Sequence, residues 1–116
     1  VIHRVRLVGR GRTTVAAYGL ADAEDRIEKE IRTRWAECSV QVPEIRRNAG
    51  MPRIADEFEV EYRVIGEVEV DADSIAAARR DAFRVARARF ENSPYWRIAW
   101  EDRGVESAGP DGRAAG

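Results

Sequence analysis

The chain has 116 residues, 44% of them hydrophobic and 35% charged, and a formal net charge of −1 at pH 7. That length suits one globular domain with its own core, and no run approaches the ~20 apolar residues that a membrane span needs. The near-zero charge gives no long-range pull toward nucleic acid; one cysteine, Cys38, excludes an internal disulfide, and one histidine, His3, leaves no metal cluster.

The chain begins Val1-Ile2-His3-Arg4 without an initiator Met and without the charged-then-apolar pattern of a signal peptide, so a cytoplasmic location is expected. From His3 to Ala17 the residues alternate. Val5, Leu7, Gly9, Gly11, Thr13, Val15 and Ala17 share one face, and Arg4, Arg6, Val8, Arg10, Arg12 and Thr14 share the other. Period two predicts a half-buried strand, with Gly9 and Gly11 marking a bulge or bend. Leu20, Ala23, Ile27, Ile31 and Trp35 follow at helical spacing, and Cys38 after them is expected to be a small buried apolar residue. Val40 and Val42 predict a second strand ending near Pro43.

After a polar connector over 47–55, Phe58, Val60, Tyr62, Val64, Gly66, Val68, Val70 and Ala72 alternate with Glu57, Glu59, Glu61, Arg63, Ile65, Glu67, Glu69 and Asp71. Asp73 or Ser74 can cap the next helix, whose apolar stripe is Ile75, Ala78, Ala82, Ala86 and Phe90. Trp96, Ile98 and Trp100 then alternate along a last strand; core packing is the leading reading of that face, and an exposed apolar stripe marking an interface is the alternative. Beyond Asp102 the composition turns to Gly, Ala, Ser and Pro, which predicts a flexible tail over 103–116 behind a domain spanning 1–102.

A shift of 55 residues lays the half 1–46 over the half 56–102. Val5 meets Val60, Gly11 meets Gly66, Ala23 meets Ala78 and Trp35 meets Phe90, while Arg4/Glu59, Arg6/Glu61, Arg12/Glu67, Glu24/Arg79, Asp25/Arg80 and Arg26/Asp81 match with opposite charge. Two βαβ units of this kind predict an α+β, ferredoxin-like βαββαβ fold built from duplicated halves: a four-stranded antiparallel sheet with both helices on one face. The first and third strands are then central neighbours, and their arginines and glutamates form a ladder on the open face. Opposite charges across strands contribute roughly 0.2–1 kcal/mol a pair and specify register more than they stabilise. Equivalent residues such as Arg6 and Glu61 are expected near one another around the pseudo-twofold axis. The oppositely charged helix positions would attract if the helices packed side by side or across a dimer.

Functional signals are sparse. The central strands carry no stacking aromatics on the open face, which argues against sheet-face RNA reading. Lys29 is the one lysine, so the basic residues are nearly all arginine, from genomic base composition or for planar recognition of carboxylates and phosphates. Arg10 and Arg12, then Arg46, Arg47 and Arg53, with Arg79, Arg80, Arg84 and Arg87 on the second helix, are the candidate phosphate contacts of a nucleic-acid-binding protein. His3, near a terminus, reads as a solvated strand residue rather than a base, and no catalytic, cofactor or metal residues are assigned. The segment from Asp22-Ala23-Glu24-Asp25-Arg26 to Trp35-Ala36-Glu37 resembles the helix–strand joint of dodecins, small flavin-binding oligomers. That resemblance implies a flavin or other flat ligand, although the second helix departs from the dodecin pattern.

The leading expectation is a non-enzymatic protein-interaction domain, a homo-oligomer or a binder of another protein, without cofactor or membrane. It would use an open sheet face or an exposed edge strand, with Tyr95, Arg97 and Trp100 on the last strand and Arg80, Arg84 and Arg87 on the second helix as contacts.

Overall fold

The computed structural model describes residues 1–47, 56–91, 97–108 and 114–115. Strand β1 (Ile2–Ala17) leads to helix α1 (Leu20–Arg34) and edge strand β2 (Ser39–Arg47); β3 (Asp56–Asp71), α2 (Ile75–Arg89) and β4 (Ala99–Ala108) follow, with a two-residue β5 (Ala114–Ala115). The sheet order is β2-β3-β1-β4-β5 and every pairing is antiparallel. Four main strands with two helices on one face make the α+β, ferredoxin-like arrangement that the alternation and helical spacings predict. Among the described residues, no helix is long and apolar enough to cross a membrane.

Alternation decides which side of the sheet the helices cover. Val5, Leu7 and Ala17 of β1 and Phe58, Val60, Tyr62 and Val64 of β3 are at most 1% exposed, and pack with Ala23, Ile27 and Ile31 of α1 and Ala78, Ala82 and Ala86 of α2. Fully burying a side chain of Leu or Ile size stabilises by ~1.5–3 kcal/mol, so this layer, not the surface charges, docks the helices. The alanine stripe keeps α2 close to the sheet. Ile75, at the start of that stripe in sequence, instead lies 49% exposed because the helix has only begun there.

Both helix starts are satisfied locally. The Ser74 side chain accepts a hydrogen bond from the Ala77 backbone N–H at 3.1 Å, as the capping pattern predicts. At α1 the N-cap is Gly19, which has no side chain to offer, and Asp22 reaches back to accept from the Tyr18 N–H at 3.0 Å. That bond and the Arg26 guanidinium hold the Asp22 carboxyl below its ordinary pKa.

Three sequence expectations about the backbone change. Gly9 and Gly11 mark no bulge, since the β1–β3 register runs unbroken from Ile2↔Asp71 to Ala17↔Asp56. They are small because rings lie over them: a Cβ on Gly9 would meet Trp100 Cζ3 at 2.7 Å, and one on Gly11 would meet the Tyr62 ring. Gly66 sits likewise beneath Trp35. The irregularities fall on the outer strands. In β2, Val42 and Pro43 together oppose Tyr62, so the strand bulges at the proline and continues to Arg47 rather than ending there. In β4, Arg103 is the extra residue and Gly104 takes φ +145°, a left-handed conformation that favours glycine. Residues 103–108 therefore belong to β4 and pair with β1, which removes them from the expected flexible tail.

His3 is also corrected: it is 5% exposed, and its Nε2 lies 3.1 Å from the Ala72 carbonyl oxygen, so it is a buried hydrogen-bonded residue and not a solvated one. Cys38 is buried as expected, and burial pushes its thiol pKa up, which suits an inert apolar residue.

Candidate functional site

The Arg/Glu ladder forms, with a different pairing from the one the repeat suggests. Register places Arg4 opposite Glu69, Arg6 opposite Glu67 and Arg12 opposite Glu61. Their closest ion-pair distances are 3.2, 3.2 and 2.8 Å. Arg6 and Glu61 thus sit on separate rungs, and the expectation of their contact is wrong. The reason is geometric. Antiparallel strands run past each other, so residues related by the 55-residue shift separate in both directions from one crossing point. That point is Gly9↔Val64, partners across the ladder and also equivalents under the shift.

Between β1 and β3, one rung pairs like charges. Arg10 stands opposite Arg63. Outward from this pair the rung continues to Gln41 on β2 and Ala99 on β4, so it carries two cations and no carboxylate. Both arginines are exposed, and with Gly11, Arg12, Pro43 and Glu61 they line a concavity of about 320 Å³. Arg12 beside them is occupied: its Nε and Nη2 donate to Glu61 Oε1 at 3.1 and 2.8 Å, and Nη1 lies 3.7 Å from Glu59.

A second concavity, about 840 Å³, lies where the sheet is incomplete. The first β2–β3 partners are Ser39 and Ile65, so β3 runs on from Gly66 to Asp71 with no strand on its β2 side among the described residues. β1 covers the other side of this stretch throughout. The hollow is lined by Trp35, Glu37 and Ser39 together with Arg4, Arg6, Glu67, Glu69 and Arg89. Arg89 lies over the Trp35 ring at 5.2 Å.

The residues singled out from sequence do not converge. Tyr95 and Arg53 lie outside the described residues, as does Trp96. Arg97 is exposed just ahead of β4. Trp100 packs inward, with ring centroids 6.1 Å from Trp35 and 5.7 Å from Phe90, so it belongs to the core rather than to an exposed stripe. On α2, Arg80 and Arg84 both approach Asp81, at 3.6 and 3.9 Å, and Arg87 lies over the Phe83 ring. Arg79 reaches Asp102 at 3.5 Å. Arg46 pairs with Glu44 at 2.8 Å and Arg47 with Asp56 at 3.4 Å. Within the chain, no ion pair joins the oppositely charged helix positions among the described residues. α1 instead pairs its charges internally, through Arg26–Asp22, Lys29–Asp25 and Arg32–Glu28.

Sequence reasoning passed over Arg63, Gly66 and Arg89. Arg63 had a visible signal, since it interrupts the glutamate run on its face of β3 between Glu61 and Glu67. The bare edge had none, because it depends on where β2 starts to pair. Among the described residues, no group of three or more His, Cys, Asp or Glu is placed to hold a metal ion.

No protein-family model and no curated protein matches this chain. Among solved structures it is similar to a hydantoinase/carbamoylase family amidase from Burkholderia ambifaria, at 21% identity and a TM-score of 0.27 over 90% of this chain and 28% of that one. It is also similar to an aminobenzoyl-glutamate utilization protein from Klebsiella pneumoniae, at 13% identity and a TM-score of 0.27 over 95% of this chain and 30% of that one. The chain spans less than a third of either protein.

Proposed function

We propose that this chain is a non-catalytic protein-interaction domain that takes up an extended segment of a partner protein along the bare edge of β3 from Gly66 to Asp71. The observation that supports this reading is the uncovered edge itself. A central strand normally pairs on both sides, and its free backbone N–H and C=O groups form a template for another strand. Here the template opens into the 840 Å³ hollow beside Trp35 rather than onto a flat surface.

Charge and burial define the segment that fits. On the open face, Glu67 and Glu69 meet arginines of β1, and an alternating basic strand is what β3 already accepts on that side. On the helix face, Val68 and Val70 pack toward the core next to the ring over Gly66. The occupant is therefore an extended peptide with basic residues at one set of alternate positions and apolar residues at the other.

Amide hydrogen exchange tests this directly. A peptide of alternating Arg and Val is expected to slow exchange in residues 66–71, whereas alternating Glu and Val is not. Slowing that depends on protein concentration alone would identify the occupant as a second copy of the chain. Exchange unchanged by either peptide and at every protein concentration would overturn the proposal.

A further inference from the structure

Like charges directly opposite one another in a sheet repel, and a ladder avoids them by alternating sign. Between β1 and β3 the open face follows that rule at Arg4–Glu69, Arg6–Glu67 and Arg12–Glu61 and violates it at Arg10–Arg63; on the β2 side Glu44 also stands opposite Glu61, but each of those carboxylates has an arginine, Arg46 and Arg12. Neither arginine of that rung has an ion-pair partner among the described residues. Its flanking strand positions, Gln41 and Ala99, offer no charge to compensate. The carboxylate nearest along β3, Glu61, is already held by Arg12 at 2.8 Å.

From this rung we infer a binding site for a phosphate monoester, formed by the guanidinium groups of Arg10 and Arg63 on the open sheet face. Two planar guanidinium groups projecting from adjacent strands offer paired N–H donors to one set of oxyanion oxygens. A monoester carries nearly two negative charges at neutral pH. It neutralises the rung, whereas a carboxylate or a phosphodiester leaves one cation uncompensated. The hollow over the pair, about 320 Å³, exceeds the phosphate itself, and Pro43 and Gly11 in its wall give the organic part of the ester an uncharged surface. The site lies on the open face of the sheet, away from the bare β3 edge, and stands or falls independently of partner binding there.

The test is calorimetric titration of the full chain with inorganic phosphate, glycerol phosphate, a phosphoserine peptide, dimethyl phosphate and acetate at matched ionic strength. Phosphate and the monoesters are expected to bind, and the diester and acetate are not. Whichever monoester binds more tightly distinguishes a small metabolite from a modified protein. Arg10→Gln and Arg63→Gln should each weaken phosphate binding by about tenfold or more, the loss of one charge-assisted contact. In the absence of anion each variant should melt no lower than the parent, because the repulsion is gone. Side-chain nitrogen NMR of the unmodified protein supplies a readout independent of the variants: phosphate should shift the Nε signals of Arg10 and Arg63 and leave those of Arg4 and Arg6 in place. Equal binding of acetate and phosphate, undiminished binding in both variants, or shifts spread evenly over all the arginines would overturn the assignment.

Discussion

On the helix side of the β1–β3 pair, neighbours are fitted by size. Glycines at 9, 11 and 66 leave room for Trp100, Tyr62 and Trp35; Tyr62 and Trp35 are almost fully buried and Trp100 partly so. On the open side of the same two strands, neighbours are matched by sign, through side chains such as Arg6 and Glu67 that remain 59% and 45% exposed. The two sides share one backbone register yet differ in what a substitution costs. Packing in a dry interior cannot relax around an added atom, while a solvated ion pair exchanges one partner for water. Stability therefore resides on one side, and the other specifies register.

The sharpest way to break this contrast is at Gly66. A Cβ there meets the Trp35 ring, with Cε2 at 3.0 Å and other ring atoms closer, so Gly66→Ala is expected to destabilise by ~1–3 kcal/mol in urea unfolding. A Trp35→Leu background should shrink that penalty, since the clashing ring is gone. A Gly66→Ala protein as stable as the parent would show that the glycine is not needed for packing.

Arg6→Glu should cost only a fraction of the Gly66 effect. Adding Glu67→Arg should restore most of it, because these two face each other, whereas adding Glu61→Arg should be additive with no recovery. Recovery with Glu61→Arg instead would mean that the strands are paired in another register. The smallest effect separates the faces by solvent: 1 M salt, with a screening length of about 3 Å, should mute the Arg6→Glu cost and leave the Gly66→Ala cost in place. Equal salt sensitivity at both sites would erase the distinction.

The sequence showed which side of each strand is which, since alternation at β1 and β3 needs no knowledge of the neighbours. Helix stripes, the Ser74 cap and the order of the strands were legible for the same reason. Ladder partners were not, because a repeat reports equivalence while an antiparallel register reports contact; the two coincide only at Gly9 and Val64. Gly9 and Gly11 were misread because the rings above them come from other strands. The candidate sites were the least legible. Arg63 stood out only as an interruption among glutamates, and the bare β3 edge exists because β2 begins to pair at Ile65.

One consequence of the strand order concerns how the chain comes together during synthesis. β1 and β2 belong to the same half but do not touch; β3 lies between them. The first half can therefore form α1 as it emerges but has no sheet of its own, and β1 must wait for a strand whose last residues pair with its first, Ile2 with Asp71. Closing contacts so far apart in sequence makes folding slow relative to helix formation. Until β3 arrives, β1 has neither a ladder nor an oppositely charged neighbour, and its run of arginines keeps the waiting strand in water.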